Sequence, residues 1–538
     1  MTAQKLANDT YTWLHLPDGL GNLNLDRQSL PRLTGTAFLV PLASLLIWFT
    51  ISWATNPLRK YPGPFLAAFT NLWRFNLCLT KAFTYTDTIK KLHEKYGPVV
   101  RIGPNTLDLD YPELIRIIYS TDGKWIKTKM YENNSTYMDG KQTWTIFSTQ
   151  DQAYHARIKR PIVKYFTLGN VLGIEPHMNV VIKDFIKHLD TRFAAGPNPK
   201  DFDLVSWINY FAWDQASEMT FSKRYGYMDS GRDFDSTLLI AEKTFVYFQA
   251  VSQIPWLDNF LDKNPIVRIG PPNLQNAFRI ASEALTARLA GTDDRYDPAK
   301  PDYLQHFIDS KATHPDLVDD SVILTYIIVT ILGGADTSGI TLQAIFYFVM
   351  KNPDAVQKRL VREVRSRGWD KDEVVSYGQA KKLHYLDACV KEAMRLHPVL
   401  GMLLERYVPE GGLVLPDGSV VPAGTGVGMN PYVVQRNKGV LGEDADEFRP
   451  ERWLQEDKEG EEEYKARVQR MSATDLSFGG GSRICIGRHL ALMEVYKVVA
   501  TLVNRYDMKL TDPEREWKIE KCFFIRPRGI ITRFKIRE

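Results

Sequence analysis

Apolar residues recur at helical spacing over long stretches of this chain and at strand spacing over only short ones. Helical periodicity runs through residues 180–193, 234–253, 273–289 and 321–350. Residues 96–103 and 106–110 read as two short strands around a Pro104-Asn105 turn, and 423–428 and 529–534 as late strands. No internal repeat or low-complexity linker interrupts the pattern. The expected class is mostly α (α+β): a helical domain with a small strand-rich part.

One stretch breaks the pattern. Between Arg32 and Arg59 there is no charged residue, and its centre runs from Phe38 to Ile51. A helix of about 20 apolar residues spans a bilayer core. Trp48, Phe49 and Trp53 fall toward one interface, with Arg59 and Lys60 just beyond it. A cleaved signal peptide is the alternative, but the polar head of about 30 residues is too long for one. The expected organisation is a lumenal tail at 1–32, an anchor at 33–55, a stiff proline-rich linker at 56–64 and a catalytic domain at 65–538. Asn8-Asp9-Thr10 is a glycosylation sequon usable on a lumenal tail.

Composition narrows the classes. In 538 residues, 44% are hydrophobic and 25% charged, an ordinary globular balance with room for a large core. A net charge of +4 gives no reason to expect a nucleic-acid partner. Cys78, Cys389, Cys485 and Cys522 are scattered, which implies neither a disulfide framework nor a zinc site.

Four motifs carry candidate chemistry. The first is Phe478-Gly479-Gly480-Gly481-Ser482-Arg483-Ile484-Cys485-Ile486-Gly487-Arg488. The glycines let backbone pass close to a flat ligand. Cys485 stands near the start of a helix that begins around Gly487, where free amides favour a thiolate. Arg483 can pair with a carboxylate. The second is Lys391-Glu392-Ala393-Met394-Arg395, in which Glu392 and Arg395 share a helical face. Alone this reads as a surface ion pair. With Arg452, from Phe448-Arg449-Pro450-Glu451-Arg452-Trp453, one carboxylate could clamp two guanidiniums. The third is Gly333-Gly334-Ala335-Asp336-Thr337-Ser338, inside the longest helical pattern. Two mid-helix glycines cost about 1 kcal/mol each, which suggests a ligand groove beside an acid and a hydroxyl placed to move protons. A helix break with an Asp-Thr cap reads equally well. In the fourth, residues 151–160, His155 and Lys159 lie four apart and could bind an anion or simply form a solvated face.

Together, in this order and spacing, these motifs resemble the cytochrome P-450 family in its membrane-anchored eukaryotic form, from about Pro62 to the C-terminus. Met429-Asn430-Pro431-Tyr432 and the run 443–448 are similar to filamentous-fungal enzymes of secondary metabolism, a group that includes pisatin demethylase-like proteins. The resemblance implies a helical fold around haem b, with Cys485 as the axial iron ligand, whose thiolate favours O–O cleavage. It makes Thr337 the distal threonine that hydrogen-bonds dioxygen and Asp336 the acid beside it. Glu392, Arg395 and Arg452 become the structural triad, and Phe478, Gly481 and Gly487 part of the haem loop. Arg483, Arg406, His155 and Lys159 become partners of the haem propionates. The family often has Trp and Arg where His155 and Lys159 stand, and alanine where Gly333 stands.

The implied reaction inserts one atom of O2 into an apolar small molecule such as a terpenoid, polyketide or alkaloid. No flavin or nicotinamide domain fits in the remaining length. Electrons are therefore expected from NADPH through a separate membrane-bound haemoprotein reductase, with cytochrome b5 as a further donor. The expected location is the endoplasmic reticulum membrane, single-pass, with the domain facing the cytosol. Arg157, Lys159, Arg160, Lys381, Lys382 and Arg488 offer a basic docking face, and residues 131–147, 245–254, 331–335, 399–404 and 523–525 the substrate contacts. A haem-thiolate isomerase or dehydratase, which needs neither O2 nor reductase, is the competing reading. Asp336-Thr337 argues against it.

Overall fold

In the computed structural model, the structure of residues 35–538 is described, apart from 139–140, 265 and 271–274. The expected lumenal tail and its Asn8 sequon lie outside the described residues. The chain falls into two compact units that part between Asn56 and Pro57. The first unit carries helix α1, Gly35–Thr55, whose 21 residues include no charge.

The second unit begins with the proline-rich segment, which is docked rather than free. Pro57–Lys60 forms one tight 3-10 turn, and Leu58 and Tyr61 are buried in an apolar cluster with Val99 and Leu107. Arg101 donates its amide to Pro62 O at 2.7 Å. Three prolines stop a long helix here, but they do not prevent packing.

The long periodic stretches form helices. These are α2 (Leu72–Thr80), α3 (Tyr85–Tyr96), α4 (Gln152–Val163), α5 (Leu168–Leu189), α6 (Leu204–Phe221), α7 (Thr237–Val251), α8 (Gln275–Leu289), α9 (Tyr303–Thr313), α10 (Asp320–Lys351), α11 (His384–Leu396) and α12 (Arg488–Arg505). Helix α10 is capped by Asp319, which accepts from Val322 N at 2.9 Å, and it ends before Pro353. It is long and apolar enough to cross a membrane, yet half of that apolar window is buried inside the domain, as in a core helix. The main core forms where α5, α6, α10 and α12 meet, around Phe185, Phe211, Phe346 and Val498.

Strands are short. β1 (Val99–Gly103) and β2 (Thr106–Leu109) pair antiparallel, as the turn between them requires. β3 (Asp201–Asp203) joins a separate sheet. β4 (Arg406–Tyr407) and β5 (Gly426–Gly428) complete the first sheet in the order β1-β2-β5-β4. β6 (Tyr506–Leu510) and β9 (Ile531–Ile536) pair beside β3, and β7 (Lys518–Lys521) with β8 (Ile525–Arg528) forms a hairpin. The strands expected at 423–428 and 529–534 are thus present in shortened or shifted form.

Candidate active site

The cysteine loop lies against residues 119 and 120. Phe478 O accepts from Cys485 N at 2.9 Å, closing the loop, and Ser482 N donates to Ser120 O at 3.3 Å. Gly481 sits at φ +61°, and a Cβ there would land on the carbonyl oxygens of Tyr119 and Ser120. Gly481→Ala is therefore expected to displace the loop and sharply reduce the haem bound per protein, measured as the Soret-to-280 nm absorbance ratio of the purified protein.

Cys485 differs from the other three cysteines, which are buried. Its exposed surface faces an internal cavity of about 1310 Å³. Protein still surrounds the thiol, so burial pushes its pKa up, while the Gly487 amide, Lys159 and Arg488 pull the other way. The cavity exceeds the usual ligand pocket of about 300–1,000 Å³, leaving room for a flat macrocycle and a second molecule. Cys485, Phe478 and Ile486 form one wall. Gly333, Gly334 and Thr337 of α10 form another, and a Cβ at either glycine would meet nothing within 4 Å.

Helix α10 is not broken at those glycines. Thr337 donates its hydroxyl to Gly333 O at 2.6 Å, which keeps the hydroxyl at the groove. Asp336, expected as the acid beside Thr337, does not line the cavity. Its Oδ1 accepts from Trp213 Nε1 at 3.0 Å and its Oδ2 from Arg526 Nη2 at 2.7 Å, so both oxygens are already engaged.

A cluster of cations lines one end of the cavity: Lys127, Lys159, Arg406 and Arg483, with His155 among them. Among the described residues, none of the four has a carboxylate partner. Lys127 Nζ donates to Phe147 O at 2.6 Å, Lys159 Nζ to Ser482 O at 3.2 Å and Arg406 Nη1 to Glu405 O at 2.8 Å. Arg483 reaches Gln152 Oε1 at 3.2 Å and Gln150 O at 3.4 Å, and its buried Nη1 has no partner among the described residues. Burial, then repulsion from neighbouring cations, lowers the pKa of Arg483 to about 10 and of His155 to about 3, and pushes Lys127 well below its usual range and Lys159 lower. Such a cluster is completed by anions, and the paired carboxylates of a porphyrin fit it. Lys127 escaped the sequence reading because it reaches the cluster through a bridge to Arg406 across strands.

The clamp on α11 is buried. Glu392 accepts from Arg395 Nε at 2.9 Å and Nη2 at 2.8 Å, and from Arg452 Nε at 2.9 Å. Trp453 Nε1 and the amide of Arg449 also donate to it, at 2.8 and 3.0 Å. Burial would raise the pKa of Glu392, but the two guanidiniums hold it lower.

The expected substrate segments all reach the cavity, through Tyr131, Phe147, Phe245, Leu332, Val399 and Phe524 among others. The expected basic face is thinner than the sequence suggested. Lys159 points into the cavity, and Lys381 is paired with Asp387 and Tyr496. Arg157, Arg160, Lys382 and Arg488 stay exposed.

Comparison with known proteins decides the family. The family model described as Cytochrome P450 matches residues 66–534. The chain belongs to the cytochrome P450 family. Cytochrome P450 monooxygenase cfoH of Aspergillus candidus is 43% identical over 506 residues, covering 94% of this chain and 93% of that protein. Cytochrome P450 monooxygenase cicH of Emericella nidulans is 35% identical, covering 89% of this chain and 94% of that protein. The mpaDE protein of Penicillium roqueforti is 32% identical over 88% of this chain but only 54% of its own length. This P450 is a monooxygenase. As in its family, it uses haem and O2, takes electrons from a redox partner and acts on a small molecule. When bound, the haem supplies activation of dioxygen for oxygen insertion, and the chain supplies the ligand, the orientation and the protons.

Proposed function

We propose that this P450 hydroxylates an apolar small molecule in a fungal secondary-metabolite pathway, with haem b ligated by Cys485. The accessible thiol of Cys485, on a cavity that is also lined by Gly333 and Thr337, is the observation that carries this reading. Arg406, Arg483, Lys127 and Lys159 would take the two propionates, and neutral His155 can donate a ring N–H to one of them. The aromatic wall of Phe245, Phe523 and Phe524 favours a terpenoid, polyketide or alkaloid over a charged metabolite. The relatives named above, P450 monooxygenases of filamentous fungi, support a role in secondary metabolism.

NADPH is the electron source in this reading, through a haemoprotein reductase docking near Arg157, Arg160, Lys382 and Arg488. Helix α1 anchors the protein in the endoplasmic reticulum membrane by one pass, with the catalytic domain in the cytosol. The test is co-expression with a fungal NADPH reductase. The carbon monoxide spectrum of the reduced protein should carry the red-shifted Soret band of sulfur ligation, and deletion of the gene should remove an oxygenated metabolite. An unshifted band would reject the ligand, and an unchanged metabolite profile the pathway.

Thr337 is expected to hold protons at the distal face. Thr337→Ala should keep the spectrum but divert most NADPH into peroxide, read as product per NADPH oxidised. General acid–base groups contribute about 10²- to 10⁴-fold, so a coupling loss of about tenfold or more is expected.

A further inference from the structure

One cation backs the aromatic wall of the cavity. Phe245 of α7 and Phe524, the residue before β8, both line the cavity, and their rings meet edge to face at 4.6 Å. Phe523 stacks on Phe245 at 5.6 Å. The guanidinium of Arg526, on β8, lies 4.9 Å from the centre of the Phe524 ring and 5.6 Å from that of Phe245. Arg526 is 9% exposed and does not line the cavity, so it meets both rings from outside it. A planar guanidinium is attracted to an aromatic face, more strongly where water is excluded.

The same guanidinium reaches the distal helix. Its Nη2 donates to Asp336 Oδ2 at 2.7 Å, and Asp336 Oδ1 accepts from Trp213 Nε1 of α6 at 3.0 Å. Asp336 stands between Gly334 and Thr337, so this ion pair ties the wall to the stretch of α10 that carries the groove. Both side chains are largely buried, and salt screens such a pair far less than one at the surface. The backbone of the hairpin is anchored by other contacts. Arg528 pairs with Glu242 of α7, His397 Nε2 bonds Ile525 O at 2.7 Å, and Gly401 N donates to Phe523 O at 3.0 Å. Loss of Arg526 therefore frees the rings while the hairpin stays in place.

We infer that Arg526 is a positioning residue that sets which carbon of the substrate is oxygenated. This rests on the reading above, in which an apolar substrate lies between the aromatic wall and the groove at Thr337. A molecule seated against Phe245 and Phe524 presents to the groove the carbon that the separation of the two walls allows. Arg526 spans that separation, with its charge bound to α10 and its plane laid on the rings. It touches neither the cavity nor its contents, so its effect falls on where oxygen is inserted rather than on whether it is. Lysine can keep the ion pair but has no plane to lay on the rings.

The test returns the full-length chain, as wild type or variant, to a strain deleted for the gene and separates the oxygenated metabolites by liquid chromatography and mass spectrometry. Arg526→Gln is expected to keep the carbon monoxide spectrum and most of the summed oxygenated product. It should change the ratio of positional isomers by about tenfold, the factor expected for loss of one desolvated cation–ring contact. Asp336→Asn should shift the ratio in the same direction, and Asp336→Asn combined with Arg526→Gln no further than Arg526→Gln alone, because one linkage is lost in each. Arg526→Lys should keep the thermal stability of the Soret band but not the wild-type ratio. A readout without substrate is the ratio of Kd values for 1-phenylimidazole and 4-phenylimidazole, taken from the Soret shift of the purified ferric protein, which Arg526→Gln should also change. If Arg526→Gln fails to load haem, Arg526→Lys carries both measurements. A wild-type isomer ratio in either loaded variant, additive shifts in the double variant, or an equal fall of all isomers would overturn the proposal. A wild type without the sulfur-ligated spectrum, or a deletion that leaves the metabolites unchanged, would instead sink the proposed function.

Discussion

Cys485→Ser is expected to abolish the red-shifted Soret band of the reduced, carbon monoxide-treated protein and to reduce product formation to background. A thiol ionises near pH 8.5, and a cationic, amide-rich surrounding brings it lower. A serine hydroxyl in the same place does not ionise at all in the accessible range. The substitution therefore removes the anionic ligand while changing the side chain by one atom. In the free chain, burial raises the Cys485 pKa, with Gly487 N–H, Lys159 and Arg488 favouring the thiolate. The positive iron would complete that balance, because metal binding displaces the thiol proton. Two controls separate ligation from folding. Cys389→Ala, at a buried thiol away from the cavity wall, should keep the band. Far-ultraviolet circular dichroism of Cys485→Ser should match the wild type, because the loop is closed by backbone bonds rather than by the sulfur. A normal spectrum in Cys485→Ser would remove the basis of the site.

What the sequence could and could not tell follows from range. The long helices were legible because 3.6-residue periodicity is a local property, and α10 spans Asp320–Lys351 against an expected 321–350. The glycines of the cysteine loop were legible because a positive φ at Gly481 is a local demand. Residue types far apart in the chain were not. Asp336 reads as a free acid beside Thr337 until Arg526, 190 residues away, is seen to hold it. Lys127 has no motif around it, and only its strand bridge to Arg406 brings it to the cation cluster. The proline-rich segment reads as a linker because its composition forbids a long helix. Composition is silent on the pocket that receives Leu58 and Tyr61.

Glu392→Gln is expected to be the most destabilising single change in the domain. The carboxylate is 0% exposed, and Arg395 and Arg452 are 3% and 1% exposed. Removing one member of a buried ionic group strands the others, at a cost of about 3–5 kcal/mol. Here one amide would face two guanidiniums and could accept from only one side. The charge of an exposed pair is worth far less, so Asp354→Ala, which frees Lys358 at the surface, should cost under about 1 kcal/mol. The expected readout is a large fall in soluble, haem-loaded protein and a faster loss of the Soret band on heating. The pH dependence has a definite sign. The folded pKa of Glu392 lies below its free value of 4.5, so its contribution is fully present above that pH. It is lost as pH falls through the folded pKa, and the wild type should therefore shed haem faster on acidification while Glu392→Gln shows a weaker acid step. The clamp also staples the 449–453 segment, upstream of the cysteine loop, to α11. A variant that unfolds there should lose haem before it loses helix, so Soret decay should precede the circular dichroism transition. Equal stability in Glu392→Gln and wild type would mean that the buried clamp contributes nothing to holding that segment in place.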